Sequence, residues 1–197
     1  IISTYAVFGS MRMLEQIRQS ICYPNLNVKI ACSHGGLTPG NDGATHQGIE
    51  DMGIVSTIPN MTVIMPADYY SARKLIREAV NKQGPVYLRF TRDPVPVIYS
   101  ERDTFEIGKG NLVRDGDNIT IMAIGDTLSI ALKACEELAK YDITARVVDM
   151  HTLKPIDKEM VTDCIYKTKY IITVEDHTII NGLGSAVSSI CAEIGVG

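Results

Sequence analysis

Apolar positions along the chain switch repeatedly between two periods. Residues 2–8 read as a short strand of β-branched and aromatic types. Met11, Leu14, Ile17 and Ile21 follow at helical spacing, and Pro24-Asn25 stops that helix. Residues 27–32 form a second strand. A helix over 50–58 and a strand over 61–65 come next. Asp68 is the expected N-cap of a helix reaching Asn81, with Leu75, Ile76, Ala79 and Val80 as its apolar stripe. Gly84-Pro85 turns the chain into a strand over 86–90. This alternation predicts a doubly wound α/β domain with mostly parallel strands.

Residues 91–104 hold Pro94 and Pro96 and no sustained period, so they read as a connector. A small strand is expected around 105–112, before the turn Asp115-Gly116-Asp117. The α/β alternation then restarts. Strands are expected over 119–124, 143–148 and 170–174, and helices over 127–140, 157–166 (opened by Pro155) and 184–194. The expected organisation is two three-layer α/β/α domains: residues 1–93, a linker over 94–105, and a second domain over 106–197.

The chain has 197 residues, 45% hydrophobic and 21% charged, which suits a soluble, well-cored globular protein rather than a disordered one. A formal net charge of −4 argues against a nucleic-acid partner. No run approaches the roughly 18 apolar residues of a membrane span. The first residue is Ile1, not Met, and the chain stops after a helical pattern, so both ends are expected to be incomplete. The five cysteines are scattered without a CxxC pair. Buried free thiols in a reducing, cytoplasmic setting are the expectation.

Chemistry concentrates between Ser33 and Gly48. Gly35, Gly36, Gly40 and Gly43 interrupt a polar run that holds His34, Asp42 and His46. It follows a strand, and open parallel sheets bind ligands beyond the carboxyl ends of their strands. A histidine there can carry a proton or meet a phosphate. The same residues also suit an ordinary surface loop, and the His–Asp–His spacing matches no compact zinc signature. Arg92, just past the strand over 86–90, suits a cationic fork for phosphate, or a surface ion pair. Tyr5 and Phe8 suit either core packing or a stacked planar ring. In the second half, Glu175-Asp176-His177 is a polar strand end, and Gly182-x-Gly184 opens a helix whose N-terminus suits an anion or simply a tight turn.

These residues carry a resemblance. Ser3-Thr4-Tyr5-Ala6-x-Phe8, Ser33-His34-x-Gly36, Asn41-Asp42-Gly43-Ala44-Thr45-His46-Gln47, Leu153-Lys154-Pro155-Ile156-Asp157 and Thr173-Val174-Glu175-Asp176-His177 are similar to the transketolase family over essentially the whole chain. The resemblance implies most of a pyrimidine-binding domain followed by most of a transketolase C-terminal domain. It implies thiamine diphosphate with Mg²⁺ as cofactor. Tyr5 and Phe8 match positions that stack the aminopyrimidine, and Met11 stands where a further aromatic is common. His34 and Arg92 match contacts to substrate phosphate, Asp42 a contact to a substrate hydroxyl, and His46 the catalytic position near the donor carbonyl. No residue of this chain is implied as a metal ligand. The implied activity is transfer of a two-carbon ketol unit from a ketose phosphate to an aldose phosphate.

The family's glutamate for the pyrimidine ring lies upstream of the Tyr5 position, and Glu15 does not match it. The diphosphate- and Mg²⁺-binding domain has no counterpart in these residues. The resemblance therefore implies an N-terminal subunit or domain as partner, in a homodimer or heterotetramer. Two alternatives stand beside it. One is a 1-deoxy-D-xylulose-5-phosphate synthase-like enzyme, disfavoured by Ser33-His34 where that relative usually has Asp-Arg. The other is a non-catalytic structural subunit of a thiamine-diphosphate enzyme.

Overall fold

The computed structural model describes residues 1–196. Among the described residues, nine strands form two sheets. The first has the order β1-β2-β4-β3-β8 and the second β5-β7-β6-β9. In the first sheet β1 (Ile2–Tyr5), β2 (Lys29–Ser33), β4 (Val86–Arg89) and β3 (Thr62–Ile64) run parallel. In the second, β7 (Ala145–Asp149), β6 (Ile119–Ala123) and β9 (Tyr170–Val174) run parallel, and β5 (Asn111–Arg114) is antiparallel at the edge. Two mixed α/β layers packed with helices match the expected α/β/α class.

Two expected strands are placed differently from the sequence reading. The first strand stops at Tyr5, and the chain turns helical at Ala6. The helical run contains a π-helical segment Phe8–Arg12, a short α1 (Leu14–Gln16) and a second π-helical segment Ile17–Cys22. Phe8 therefore stands on a helix, not on the strand. A short stretch of β-branched and aromatic residues does not mark where the period changes. The small strand expected around 105–112 is instead β5 at Asn111–Arg114, because Phe105 turns inward and is buried among core residues.

β8 (Thr152–Lys154) has no counterpart in the sequence reading. It pairs antiparallel with β3 of the first sheet, although it belongs to the second half of the chain. Lys154 Nζ donates to the carbonyls of Ser56 (2.8 Å) and Ile58 (2.6 Å) at the end of α2 (Asp51–Ser56). The apolar cores also cross the halves. One joins Ala6, Met52 and Met65 to Met122, Val148 and Leu183. The other joins Ile64 and Leu75 to Ile121 and Leu128. Four of the five cysteines are buried free thiols, and Cys191 is partly exposed.

The connector has no helix or strand, but it is tied down. Asp68 caps α3 (Tyr69–Asn81) through the Ser71 N–H, and its other oxygen accepts the N–H groups of Ile98 and Tyr99. The Tyr99 hydroxyl then donates to Asp149 at 2.8 Å. Asp149 is wholly buried at the end of β7, and its Oδ1 lacks a partner. Burial pushes its carboxyl up to about 7, opposed by the Tyr99 hydrogen bond and reinforced by the charge of Asp68. The folded chain thus keeps a proton that the unfolded chain loses near pH 4. Stability from this group is complete below that value and is lost as pH rises through about 7. Asp149→Asn, which keeps an acceptor for Tyr99, should raise the unfolding midpoint at pH 8 and leave it near the parent's at pH 4. Parallel midpoints for the two proteins across that range would refute this.

Candidate functional site

The parallel strands of the first sheet end together, and the sequence places polar loops at those ends. Tyr5 is the last residue of β1, and β2 ends at Ser33 with His34 following. Their rings meet: Tyr5 stacks on His34 with centroids 4.0 Å apart and planes at 28°. Phe8 lies 5.8 Å from Tyr5 at 27°. His46 stands edge-on to both, 5.8 Å from Tyr5 and 5.3 Å from Phe8. Four of the residues singled out in the sequence thus form one ring cluster. Met11 lies one turn beyond Phe8 and is 42% exposed. The Arg12 guanidinium covers the Phe8 ring at 4.3 Å, a contact that the sequence reading missed.

Each histidine is oriented by the hydroxyl just before it. His34 Nδ1 lies 2.9 Å from Ser33 Oγ, and His46 Nδ1 lies 2.9 Å from Thr45 Oγ1. Both rings therefore keep Nε2 for a ligand. His34 adopts a left-handed backbone, φ 63°, which is uncommon for a residue with a side chain.

Asp42 and Arg92 form a second group beside the same loop. Asp42 closes a 3₁₀ turn (Gly40–Asp42), and its Oδ2 is 3.9 Å from Arg92 Nε. Arg92 Nη1 donates to the Pro39 carbonyl at 3.2 Å. Thr38 Oγ1 accepts from the Arg92 N–H (3.1 Å) and the Thr91 hydroxyl (2.9 Å), so the two loops are stitched together. Both charged side chains remain about two-fifths exposed, so water still reaches the fork.

Beneath the loops lies a buried polar knot. Arg89, at the end of β4, has no solvent exposure. Its Nε faces Asp51 Oδ2 at 3.1 Å. Its Nη2 donates to the carbonyls of Gly48 (3.0 Å) and Asp176 (2.9 Å), and Nη1 meets the Met65 sulfur. The Tyr87 hydroxyl donates to the same Asp51 oxygen at 2.8 Å. Burial raises the Asp126 carboxyl, the charge of Asp176 adds to that, and Arg89 opposes it. Sequence reading singled out Arg92 and missed the buried Arg89. The available signal was a charged residue inside the apolar run 86–90.

The polar strand end after β9 also has a structural task. Glu175 accepts the N–H groups of Leu183 (2.6 Å) and Gly184 (2.8 Å), so the anion at the start of α6 (Leu183–Ile194) is the chain's own. His177 Nε2 accepts the Gly53 N–H at 3.1 Å, while Nδ1–H donates to the Thr178 carbonyl at 2.7 Å. Among the described residues, no group of three His, Cys, Asp or Glu side chains is arranged to hold a metal ion. No helix there is long and apolar enough to cross a membrane.

Comparison with known proteins agrees with this architecture. The model of the transketolase pyrimidine-binding domain matches residues 1–97, and that of the transketolase C-terminal domain matches residues 108–196. A Methanocaldococcus jannaschii protein assigned provisionally as a transketolase C-terminal section is 47% identical, over 98% of this chain and 61% of its own length. A 6-deoxy-6-sulfo-D-fructose transketolase subunit from Clostridium sp. is 40% identical, over 96% of this chain and 59% of its own. A solved structure described as a split-gene transketolase in an inactive β4 tetramer superimposes with a TM-score of 0.91 at 44% identity. It covers 97% of this chain and 61% of that one. The chain thus spans about three-fifths of the length of these relatives. It belongs to the transketolase family, as a C-terminal section comprising the pyrimidine-binding and C-terminal domains.

Proposed function

We propose that this chain is the pyrimidine-side part of a two-part transketolase, inactive alone and completed by a diphosphate-binding subunit or domain. The observation that carries this reading is the ring cluster of Tyr5, Phe8, His34 and His46 at the strand ends. Its rings are open to a ligand rather than sealed in the core: Tyr5 is 36% exposed. A planar aminopyrimidine fits such faces, with the flexible Met11 thioether at its edge.

When bound, thiamine diphosphate with Mg²⁺ supplies the nucleophilic carbon and electron sink for making and breaking carbon–carbon bonds. The chain's residues supply the surroundings. Tyr5 and Phe8 hold the pyrimidine, while Met11 packs against it. His46, its Nδ1 held by Thr45, presents Nε2 to the hydroxyl and carbonyl of a ketose phosphate and moves a proton there. Asp42 accepts from a substrate hydroxyl. Arg92 and His34 hold the phosphate, Arg92 as a charged fork and His34 through Nε2. Ser33-His34 supports a sugar-phosphate donor over the pyruvate donor of deoxyxylulose-phosphate synthases.

One observation favours a second reading, a purely structural subunit: the solved relative forms an inactive tetramer of β chains. Reconstitution separates the two. The chain would be mixed with its complementary part, thiamine diphosphate and Mg²⁺, and assayed for ketol transfer between sugar phosphates. Transfer that needs both parts supports the catalytic reading. Cofactor bound to the complex without transfer of either donor type favours the structural one.

A further inference from the structure

The second half of the chain is fused to the first through the substrate-facing loops. Leu37 donates its N–H to the Asp176 carboxylate, 2.9 Å from Oδ2 and 3.1 Å from Oδ1. Gly36, at φ 78°, lies so close that a Cβ there would sit 1.8 Å from Asp176 Oδ2. A Cβ on Gly35 would sit 2.2 Å from Arg89 Nε. Two glycines are therefore required by the approach of an acid from β9's end and a base from β4's end. Gly36 N–H donates to the Gly48 carbonyl at 2.7 Å, and Arg89 Nη2 caps that same carbonyl while holding the carbonyl of Asp176. Gly36 is two residues past His34, and Gly48 is two residues past His46. One bond thus ties the two histidine segments together, and Asp176 with Arg89 clamps it from both sides.

We propose that Asp176, reaching over from the C-terminal half, is a positioning residue for substrate phosphate: it holds the 34–37 backbone so that His34 faces the phosphate beside Arg92. This rests on the reading of His34 and Arg92 as phosphate contacts. The left-handed backbone of His34 persists only where its surroundings hold it, and the Leu37–Asp176 bond supplies that hold within three residues. Small displacements of such groups lower rates by large factors: about 1 Å can cost about a hundredfold. The C-terminal half acquires a part in specificity without touching substrate.

Asp176→Ala and Asp176→Asn test this in the whole chain. Hydrogen exchange of the isolated chain comes first. Asp176→Ala should speed exchange in peptides covering 33–48 by about tenfold or more and leave β6 and α4 (Thr127–Ala139) unchanged. Asp176→Asn, which keeps an acceptor oxygen, should restore most of the protection. Kinetics follow on the reconstituted complex, with an aldose phosphate and the same aldose lacking phosphate as acceptors. In Asp176→Ala the KM for the phosphorylated acceptor should rise about tenfold or more, with a smaller fall in kcat and little change in KM for the other. Parent-like exchange over 33–48, or equal KM increases for both acceptors, would overturn the proposal. If Asp176→Ala loses protection throughout, Asp176→Asn decides: parent-like discrimination by phosphate upholds the clamp, and a uniform KM increase overturns it. If the parent complex performs no transfer, the functional reading fails, and the exchange result alone upholds or overturns the clamp.

Discussion

Arg89→Met is expected to destabilise the folded chain by about 3–5 kcal/mol, the range found when one partner of a buried ion pair is removed. Arg89 and Asp51 are both fully buried and face each other at 3.1 Å. Losing the guanidinium leaves the Asp51 charge without its counter-ion, held by the Tyr87 hydroxyl alone among side-chain donors, and it frees the Gly48 and Asp176 carbonyls. The lost attraction matters less than the uncompensated charge. A double variant, Arg89→Met with Asp51→Leu, should therefore recover a large part of the loss, because two apolar side chains carry no desolvation cost. Chemical denaturation of the parent, both single variants and the double variant gives the coupling directly. A loss below about 1 kcal/mol for Arg89→Met would mean that water reaches Asp51 after the change.

The largest expected effect on activity is at His46. His46→Ala should lower kcat of the reconstituted complex by about 10²–10⁴-fold, the usual contribution of a positioned proton-transfer group. Cofactor binding should change much less, since Tyr5 and Phe8 retain their faces. Arg92→Ala should behave differently. It removes a charge-assisted fork of roughly 1.5–3 kcal/mol, which appears as a KM increase of about 10- to 150-fold for phosphorylated substrates with kcat largely kept. The two profiles separate chemistry from binding. Equal losses of kcat and kcat/KM in both variants would place Arg92 in the chemical step instead of in ground-state binding.

The Arg89 knot and the ring cluster meet in one loop. Gly35 and Gly36 pack on Arg89 and Asp176 below, while His34 presents its ring to Tyr5 above. The buried polar knot and the proposed reactive cluster are thus joined to adjacent residues of one loop. On this arrangement Asp51 and Asp176, which lie beneath the loop, are expected to influence the proposed sugar-phosphate reaction.

Much of this was legible from residue order. Alternating periods separated strands from helices, and Gly, Pro and Asn marked most of the turns. Asp68 announced the start of α3, where its side chain does accept the Ser71 N–H; the helix expected from residue 157 is α5 (Lys158–Lys167), and there Asp157 turns out to be the cap, accepting the Met160 N–H. These are local properties, fixed by backbone sterics and by hydrogen bonds within a few residues. The motifs from Tyr5 to His46 also identified the family and pointed to the loop that holds the proposed site. What residue order left open depends on contacts between distant segments. Three examples are β8 crossing into the first sheet, Phe105 turning inward, and Arg89 buried against Asp51 and the Asp176 carbonyl. Each is decided by packing: a charged side chain enters the interior only where partners 38 and 87 positions away in the chain meet it at bonding distance. Local sequence determined the elements and the site's loops. Only the tertiary structure decided which side chains hold those loops in place.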